Sequence, residues 1–336
     1  MTSREGAGME KQQGKSRKVS LQQLLTLASL VVLLIFFMVY GSVAKGISIP
    51  SFLTNILESA YYIGFLAMGV TFAIITGGID LSVGTIMMCG ALIGGVAFNV
   101  WGWPMITALI LCVAVATGFG LLNGIMVSRL KLVPFIATMG TMMISQGLGS
   151  IVSQTQTMRY PTMADPDGWF KEVFLRTQSG FPTGIFWLAG FFVIAWFLLN
   201  KTRFGKYTFA IGSNEEAARL SGIDTKKWLT LDYVVDGFFC GFAGIFYAAT
   251  FTTVIPGTGN GLELQAIAGV VIGGTSLSGG VGSMTGTMIG VFIMAVLRSG
   301  LMAISVPQQW QTLLIGVIVI LAVLIDIARQ NRANKA

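Results

Sequence analysis

Long stretches of this chain contain no Asp, Glu, Lys or Arg, among them Leu24 to Ala44, Ala60 to Ile79, Leu81 to Ser128, Leu132 to Met158, Gly237 to Leu262, Leu264 to Leu297 and Ser299 to Ile325. About 20 consecutive apolar residues span the hydrocarbon core of a bilayer as a helix. In lipid the backbone must satisfy its own hydrogen bonds, which helices do within one segment. Runs this long and this numerous specify an all-α, polytopic membrane protein. Only 10% of the 336 residues are charged, against about 25% in a typical soluble domain.

As helix, at about 1.5 Å per residue, Leu81 to Ser128 is long enough to cross a core of roughly 30 Å twice. It divides at Asn99-Val-Trp-Gly-Trp-Pro104, where Trp101 and Trp103 suit a membrane interface. Leu264 to Leu297 divides near Gly279-Gly-Val-Gly282. The expected spans are 24–44, 60–77, 83–99, 104–127, 134–152, 184–199, 230–251, 264–280, 284–300 and 311–327, about ten helices with both termini on one side. Basic clusters then fall on a single face: Arg4, Lys11, Lys15, Arg17 and Lys18; Arg129 and Lys131; Lys201, Arg203 and Lys206; Arg329, Arg332 and Lys335. The positive-inside rule makes that face cytoplasmic. The layout is a basic tail at 1–23, one membrane domain at 24–327 and a tail at 328–336. Within the domain, 153–183 is an extracytoplasmic loop and 200–229 a cytoplasmic one.

The net charge of +7 is accounted for by these flanks, and no soluble basic domain with interleaved aromatics is present to bind nucleic acid. Ser42-Val43-Ala44 resembles a signal-peptide cleavage site, but the run before it exceeds the usual apolar core of about 7–15 residues, so it is kept as the first span. Cys89, Cys112 and Cys240 sit in apolar runs as inert small hydrophobes. The chain has no His and no convincing nucleophile–base pair, which argues against an intramembrane enzyme. It also lacks a Gly-x-x-x-x-Gly-Lys-[Ser/Thr] phosphate loop: Gly14-Lys-Ser16 has Met9 where the first Gly should be. No cofactor is expected in this chain, and any ATP hydrolysis must reside on another.

Asn200 to Gly222 forms an island of charge. Ser213-Asn-Glu-Glu216 fits a capping box, with Ser213 as cap and Glu216 reaching back. Gly222 suits the left-handed stop. The result is a helix of about two turns with Ala217, Leu220 and Ser221 along one side, too short to stand alone in water. Elsewhere, Gly77-Gly-Ile-Asp-Leu-Ser-Val-Gly84 recurs as Gly273-Gly-Thr-Ser-Leu-Ser-Gly-Gly280, an internal echo of the kind that transporters built from two related halves contain. Ser82, Thr275, Ser276 and Ser278 make these segments candidates for a translocation path or gate. Asp80 is compatible with two roles, a gate or path contact or the N-cap of the third span, with the cap favoured. Asp232 and Asp236 share one face of the seventh span near its cytoplasmic end, and they too are path or gate candidates. Glu263 and Arg298 bracket an uncharged run and could pair.

Glu216-Ala-Ala-x-x-x-Gly222 resembles the EAA-loop motif of permease subunits in bacterial ABC importers. Lys201-Thr-Arg-Phe-Gly-Lys, Ala210-Ile-Gly-Ser-Asn, the 77–84 segment, Asn123-Gly124, Pro134-Phe-Ile-Ala-Thr-Met-Gly-Thr141, Glu263-Leu-x-Ala-Ile-Ala268 and Val271-Ile-Gly-Gly-Thr-Ser-Leu-Ser-Gly-Gly280 are similar to ribose/galactose-type monosaccharide permeases. The likeness covers residues 50–327 and departs at Gln265, where the family pattern has Asp. It implies a multi-pass subunit of the bacterial inner membrane that works in a pair, most simply a homodimer. The expected partners are a cytoplasmic ATP-binding subunit that binds the ATP and an extracytoplasmic sugar-binding protein. Ser213, Glu216, Ala217, Ala218, Leu220 and Gly222 would couple to the ATPase. A sugar-like signal molecule or a nucleoside as substrate, or an ion-coupled carrier, are the alternatives. The carrier is disfavoured because the acids fall mainly near the expected span ends.

Overall fold

The computed structural model describes residues 21–333. The basic residues of the N-terminal tail, Gly14-Lys-Ser16 and Lys335 lie outside the described residues, as do the side chains of Arg329 and Arg332. The helices are α1 (Leu21–Lys45), α2 (Ile49–Ile75), α3 (Val83–Asn99), α4 (Met105–Ser128), α5 (Pro134–Val152), α6 (Trp169–Phe174), α7 (Gly184–Lys201), α8 (Arg203–Ser213), α9 (Glu215–Leu220), α10 (Thr225–Phe251), α11 (Leu262–Ile272), α12 (Met284–Ala303) and α13 (Gln308–Ala333). Eight of them are long and apolar enough to cross a membrane, and α3 and α11 are shorter apolar helices.

Every expected span falls on one of these ten apolar helices, with two informative departures. The span expected to start at 60 begins at Ile49 instead, because Ser48 accepts the Ser51 N–H at 3.3 Å and Pro50 occupies the first turn. That extension carries Glu58 into the helix, where it pairs with Arg176 at 3.2 Å. The span expected at 264–280 stops at Ile272. Eleven helical residues reach only about 16 Å, roughly half of the ~30 Å core. The chain then turns through a non-helical segment at 273–283 that is buried or half-buried except at Ser278 and Val281. Irregular backbone is tolerated at membrane depth where it is packed in protein or lines a water-filled cavity.

α2 is the hub. Its residues from Ser59 to Ile75 are buried, and α10, α12, α11 and α7 pack around it. α10 also packs along α4, where Gly120 and Gly237 let the two backbones meet. A Cβ at either glycine would lie within 3.0 Å of the other's backbone, the small-residue packing used between membrane helices. By contrast, α1, α5, α7 and α13 present broad apolar faces outward.

The 153–183 segment is a folded cap on this bundle. β1 (Met158–Arg159) pairs antiparallel with β2 (Thr253–Val254). The buried Tyr160 hydroxyl donates to the Ala91 carbonyl at 2.7 Å, and Phe170 is wholly buried. Cys89, Cys112 and Cys240 are free and buried.

Candidate coupling surface and buried hinge

The charged island folds as two helices joined at Asn214. Thr202 starts α8 by accepting the Gly205 N–H at 3.4 Å, and α8 runs on through Ser213. Ser213 is therefore not the cap of the next helix. That position belongs to Asn214, whose extended backbone (φ −165°, ψ 103°) lets its side-chain oxygen accept the Ala217 N–H at 2.9 Å. With the box displaced by one residue, Glu216 turns forward and grips Arg219 through both carboxylate oxygens, at 2.6 and 3.1 Å. The Arg219 guanidinium holds the Glu216 carboxyl below its ordinary range. Glu215 pairs instead with Lys131 of the α4–α5 connection at 2.8 Å.

Gly222 has the left-handed backbone expected of it, φ 85°. Its N–H donates to Arg219 O at 3.0 Å, and that of Ile223 donates to Ala218 O at 3.1 Å, the paired bonds of a Schellman stop. Of this short helix, Ala218 alone is buried, at 5% exposure, and it faces the bundle. Ala217, Leu220 and Ser221 stay open, with Leu220 at 76%.

The end of α8 rests on both echoing segments. A Cβ added to Gly212 would run into the Ile75 carbonyl oxygen and lie 2.7 Å from Gly280 N. One on Gly279 would lie 2.8 Å from Gly212 O and 2.9 Å from Gly77 N. The Gly280 N–H donates to Ile75 O at 2.8 Å. The ends of α2 and α8 thus converge with the Gly279–Gly280 turn of the α11–α12 connection. The echo is structural, but one residue out of its sequence register. Gly77 (φ 83°) corresponds to Gly274 (φ 96°). Gly77 N donates to Ile74 O at 2.9 Å and Gly78 N to Ala73 O at 3.0 Å, while Gly274 N donates to Val271 O at 2.9 Å and Thr275 N to Val270 O at 3.2 Å.

The candidate path residues divide by environment. Asp80, Ser82, Thr275 and Ser276 are buried, and Ser278 is exposed. Asp80 does not cap α3. The residue at that position is Ser82, whose side chain makes no capping bond. The carboxylate of Asp80, 2% exposed, instead accepts the Ser82 N–H at 2.7 Å, the Ser82 hydroxyl at 2.5 Å and the Asn123 amide at 3.1 Å. Asn123 in turn accepts the Thr141 hydroxyl at 2.7 Å. This network ties the α2–α3 turn to α4 and α5. Asp326 on α13 plays the matching part for the second echo, accepting the Leu277 N–H at 3.2 Å and the Ser276 hydroxyl at 3.4 Å. Asp326 was not singled out from sequence. Its signal was there, as the acid that ends the Ser299 to Ile325 run beside the basic tail.

Asp232 and Asp236 do share one face of α10, but it is a closed one. Asp232 accepts the Thr208 hydroxyl of α8 at 2.8 Å. Its second oxygen, that of Asp236 and the Tyr233 hydroxyl have no hydrogen-bond partner among the described residues. Acids buried in this way weaken the sequence argument that such groups fall mainly near span ends. Among the described residues no cluster of three or more His, Cys, Asp or Glu side chains is arranged to hold a metal.

Glu263 and Arg298 do not meet. Glu263 accepts the Gly261 N–H at 2.8 and 2.9 Å. Arg298 donates to Gln265 at 3.0 Å and lies 5.8 Å from the Tyr62 ring centre. The amide at 265 thus keeps a hydrogen bond to the cation where an acid would form an ion pair.

Residues 52–323 match the family described as branched-chain amino acid transport system / permease component. The ribose import permease protein RbsC of Escherichia coli (strain K12) is 35% identical over 307 residues, 90% of this chain and 94% of the relative. The galactose/methyl galactoside import permease protein MglC of Haemophilus influenzae is 36% identical over 301 residues, 82% of this chain and 88% of the relative. An inward-facing structure of a metal-chelate type ABC transporter superposes with a TM-score of 0.50 at 16% identity, over 93% of this chain and 99% of its own, a likeness of fold alone.

Proposed function

The chain belongs to the branched-chain amino acid transport system / permease component family, and from that membership we propose that it is the membrane-spanning subunit of a binding-protein-dependent ABC importer carrying a monosaccharide into a bacterium. Permease components of ABC transporters are not themselves enzymes. Similarity to permeases named for ribose and for galactose supports a pentose or hexose over a nucleoside or a signalling molecule. A neutral sugar requires no fixed charge along its route, and the four buried acids described above, Asp80, Asp232, Asp236 and Glu263, serve inside packed protein.

ATP is bound and hydrolysed by a cytoplasmic partner that seats on α9, using the open face of Ala217, Leu220 and Ser221. Glu216 and Arg219 flank that face as a mutually oriented pair, while Ala218 and Gly222 fix the helix to its own bundle. The contact of Gly212 and Ser213 with Ile75 and Gly280 is the observation that carries this reading, because it joins the docking helix to both glycine-hinged segments without an intervening loop. Displacing α9 moves those segments, with Ser278 on the free surface and Ser82, Thr275 and Ser276 behind it. Asp80 and Asp232 hold the hinge to α4, α5 and α8 and act as positioning residues, with Asp236 behind them on α10. The folded 153–183 cap receives the sugar-binding protein outside, the chain works as a homodimer in the inner membrane, and both termini are cytoplasmic.

The test is uptake of labelled ribose, galactose and xylose into proteoliposomes holding this chain and the ATPase and binding protein encoded beside it. Uptake should need ATP and both partners. Accumulation by the chain alone, driven by an ion gradient, would overturn the importer reading.

A further inference from the structure

On the flank formed by α4, α7 and α10, an apolar groove of about 560 Å³ is lined by Ile110, Val113, Ala114, Trp187, Phe238 and Phe242. Ile106 and Trp169 also border a second open cavity of about 540 Å³, beside Trp103 and Asp167. Phe98 and Asp167 border both that cavity and a third, of about 280 Å³, beside Arg159, Tyr160 and Asp165. From Ile106 to Ala114 the groove follows α4 for about 12 Å at 1.5 Å per residue, close to the depth of one leaflet of a ~30 Å core. Three neighbouring spaces with shared lining residues therefore lead from an acyl-like slot, past indole rings of the kind that sit at headgroup level, to a compartment with one cation and two anions.

The charges in that compartment select among lipids. Arg159 forms no ion pair among the described residues. One oxygen of Asp165 is held by the N–H and hydroxyl of Thr162, at 2.7 and 2.9 Å. One oxygen of Asp167 accepts the Trp169 indole N–H at 3.3 Å. The second oxygen of each acid has no hydrogen bond among the described residues. A guanidinium suits a phosphodiester. Two carboxylates beside it repel a headgroup of net negative charge and accept hydrogen bonds from a primary ammonium, which a quaternary ammonium cannot donate.

We propose that this flank is a binding site for one zwitterionic aminophospholipid of the phosphatidylethanolamine class. One acyl chain lies between α4 and α10, the phosphate on Arg159 and the ammonium on Asp165 and Asp167. The leaflet follows from the orientation proposed above, whereas the chemistry of the site does not depend on it.

The full-length protein in detergent is exchanged with palmitoyl-oleoyl phosphatidylethanolamine, phosphatidylglycerol or phosphatidylcholine, and retained lipid is counted by native mass spectrometry. One phosphatidylethanolamine should remain at concentrations that strip the other two. R159Q and D167N should each weaken retention about tenfold, the scale expected for loss of a charge-assisted hydrogen bond. A114F, at an exposed position, should expel the acyl chain. Thermal unfolding, measured alongside, verifies that each variant is folded. Equal retention of all three lipids, or retention untouched in folded R159Q and A114F, overturns the site. So does disulfide cross-linking between copies through I110C and F238C, which would make the groove a protein interface. The readout uses neither ATP nor sugar, so its failure leaves the transport reading standing.

Discussion

Asn123 makes three hydrogen bonds through one buried amide, donating to Asp80 and Ser82 and accepting from Thr141. Replacing it with Ala leaves a buried carboxylate short of a donor, which costs about 1–3 kcal/mol. Asn123→Asp should cost more, because it sets a second acid against Asp80. A melting series in detergent should rank wild type above N123A and N123A above N123D; equal midpoints would remove the network from the stability account. Gln265→Ala should likewise cost about 1.5–3 kcal/mol, since Arg298 would keep only the Tyr62 face. That Asp80 needed partners was readable in the chain, because no acid sits cheaply between two apolar runs. The partners were not readable, since Asn123 lies 43 residues away and Thr141 a further 18. The Ser213 cap failed for a local reason: two good capping residues stand side by side, and the preceding helix took the first.

α9 separates stability from coupling along its own length. Leu220→Glu changes an exposed position, so the melting temperature should hold while ATP-dependent uptake falls at least about tenfold, the loss expected when a docking anchor worth ≥ 2 kcal/mol is removed. Full uptake by L220E would remove this face from the docking surface. Gly222→Ala forces a Cβ into left-handed backbone at a cost of about 1–2 kcal/mol, and should lower both readouts. At this scale the chain was largely legible, since runs without charge marked every apolar helix. The failures are physical. Glu58 cut the window that would have shown the true start of α2, because its partner Arg176 comes from the 153–183 cap. Gly273 and Gly274, which halt α11, fell inside the expected span because they stand in a run without charge and nothing beside them in sequence marks a stop.

Across the whole molecule, burial falls from the centre outward. α2 is enclosed, α10 is shared between α2, α3 and α4, and α1, α5, α7 and α13 ring them with apolar faces outward. Amide exchange should therefore be slowest in α2 and α10, and mass spectrometry of deuterated protein in detergent checks this; faster exchange in α2 than in α5 would contradict the hub arrangement. That ranking was invisible in sequence, because α5 and α7 are about as apolar as α2 and α10, although α1 and α13 are more so. The meeting at Gly212 of the ends of α2 and α8 with the Gly279–Gly280 turn has a genetic consequence. A lesion on the free face of α9 that silences transport has somewhere to be corrected without restoring the lost contact: the stroke can be regained by shifting the resting position of what it pushes. Revertants selected from L220E on the imported sugar should therefore map to Ile75–Gly77 and Gly279–Gly280, residues remote in sequence both from the lesion and from each other.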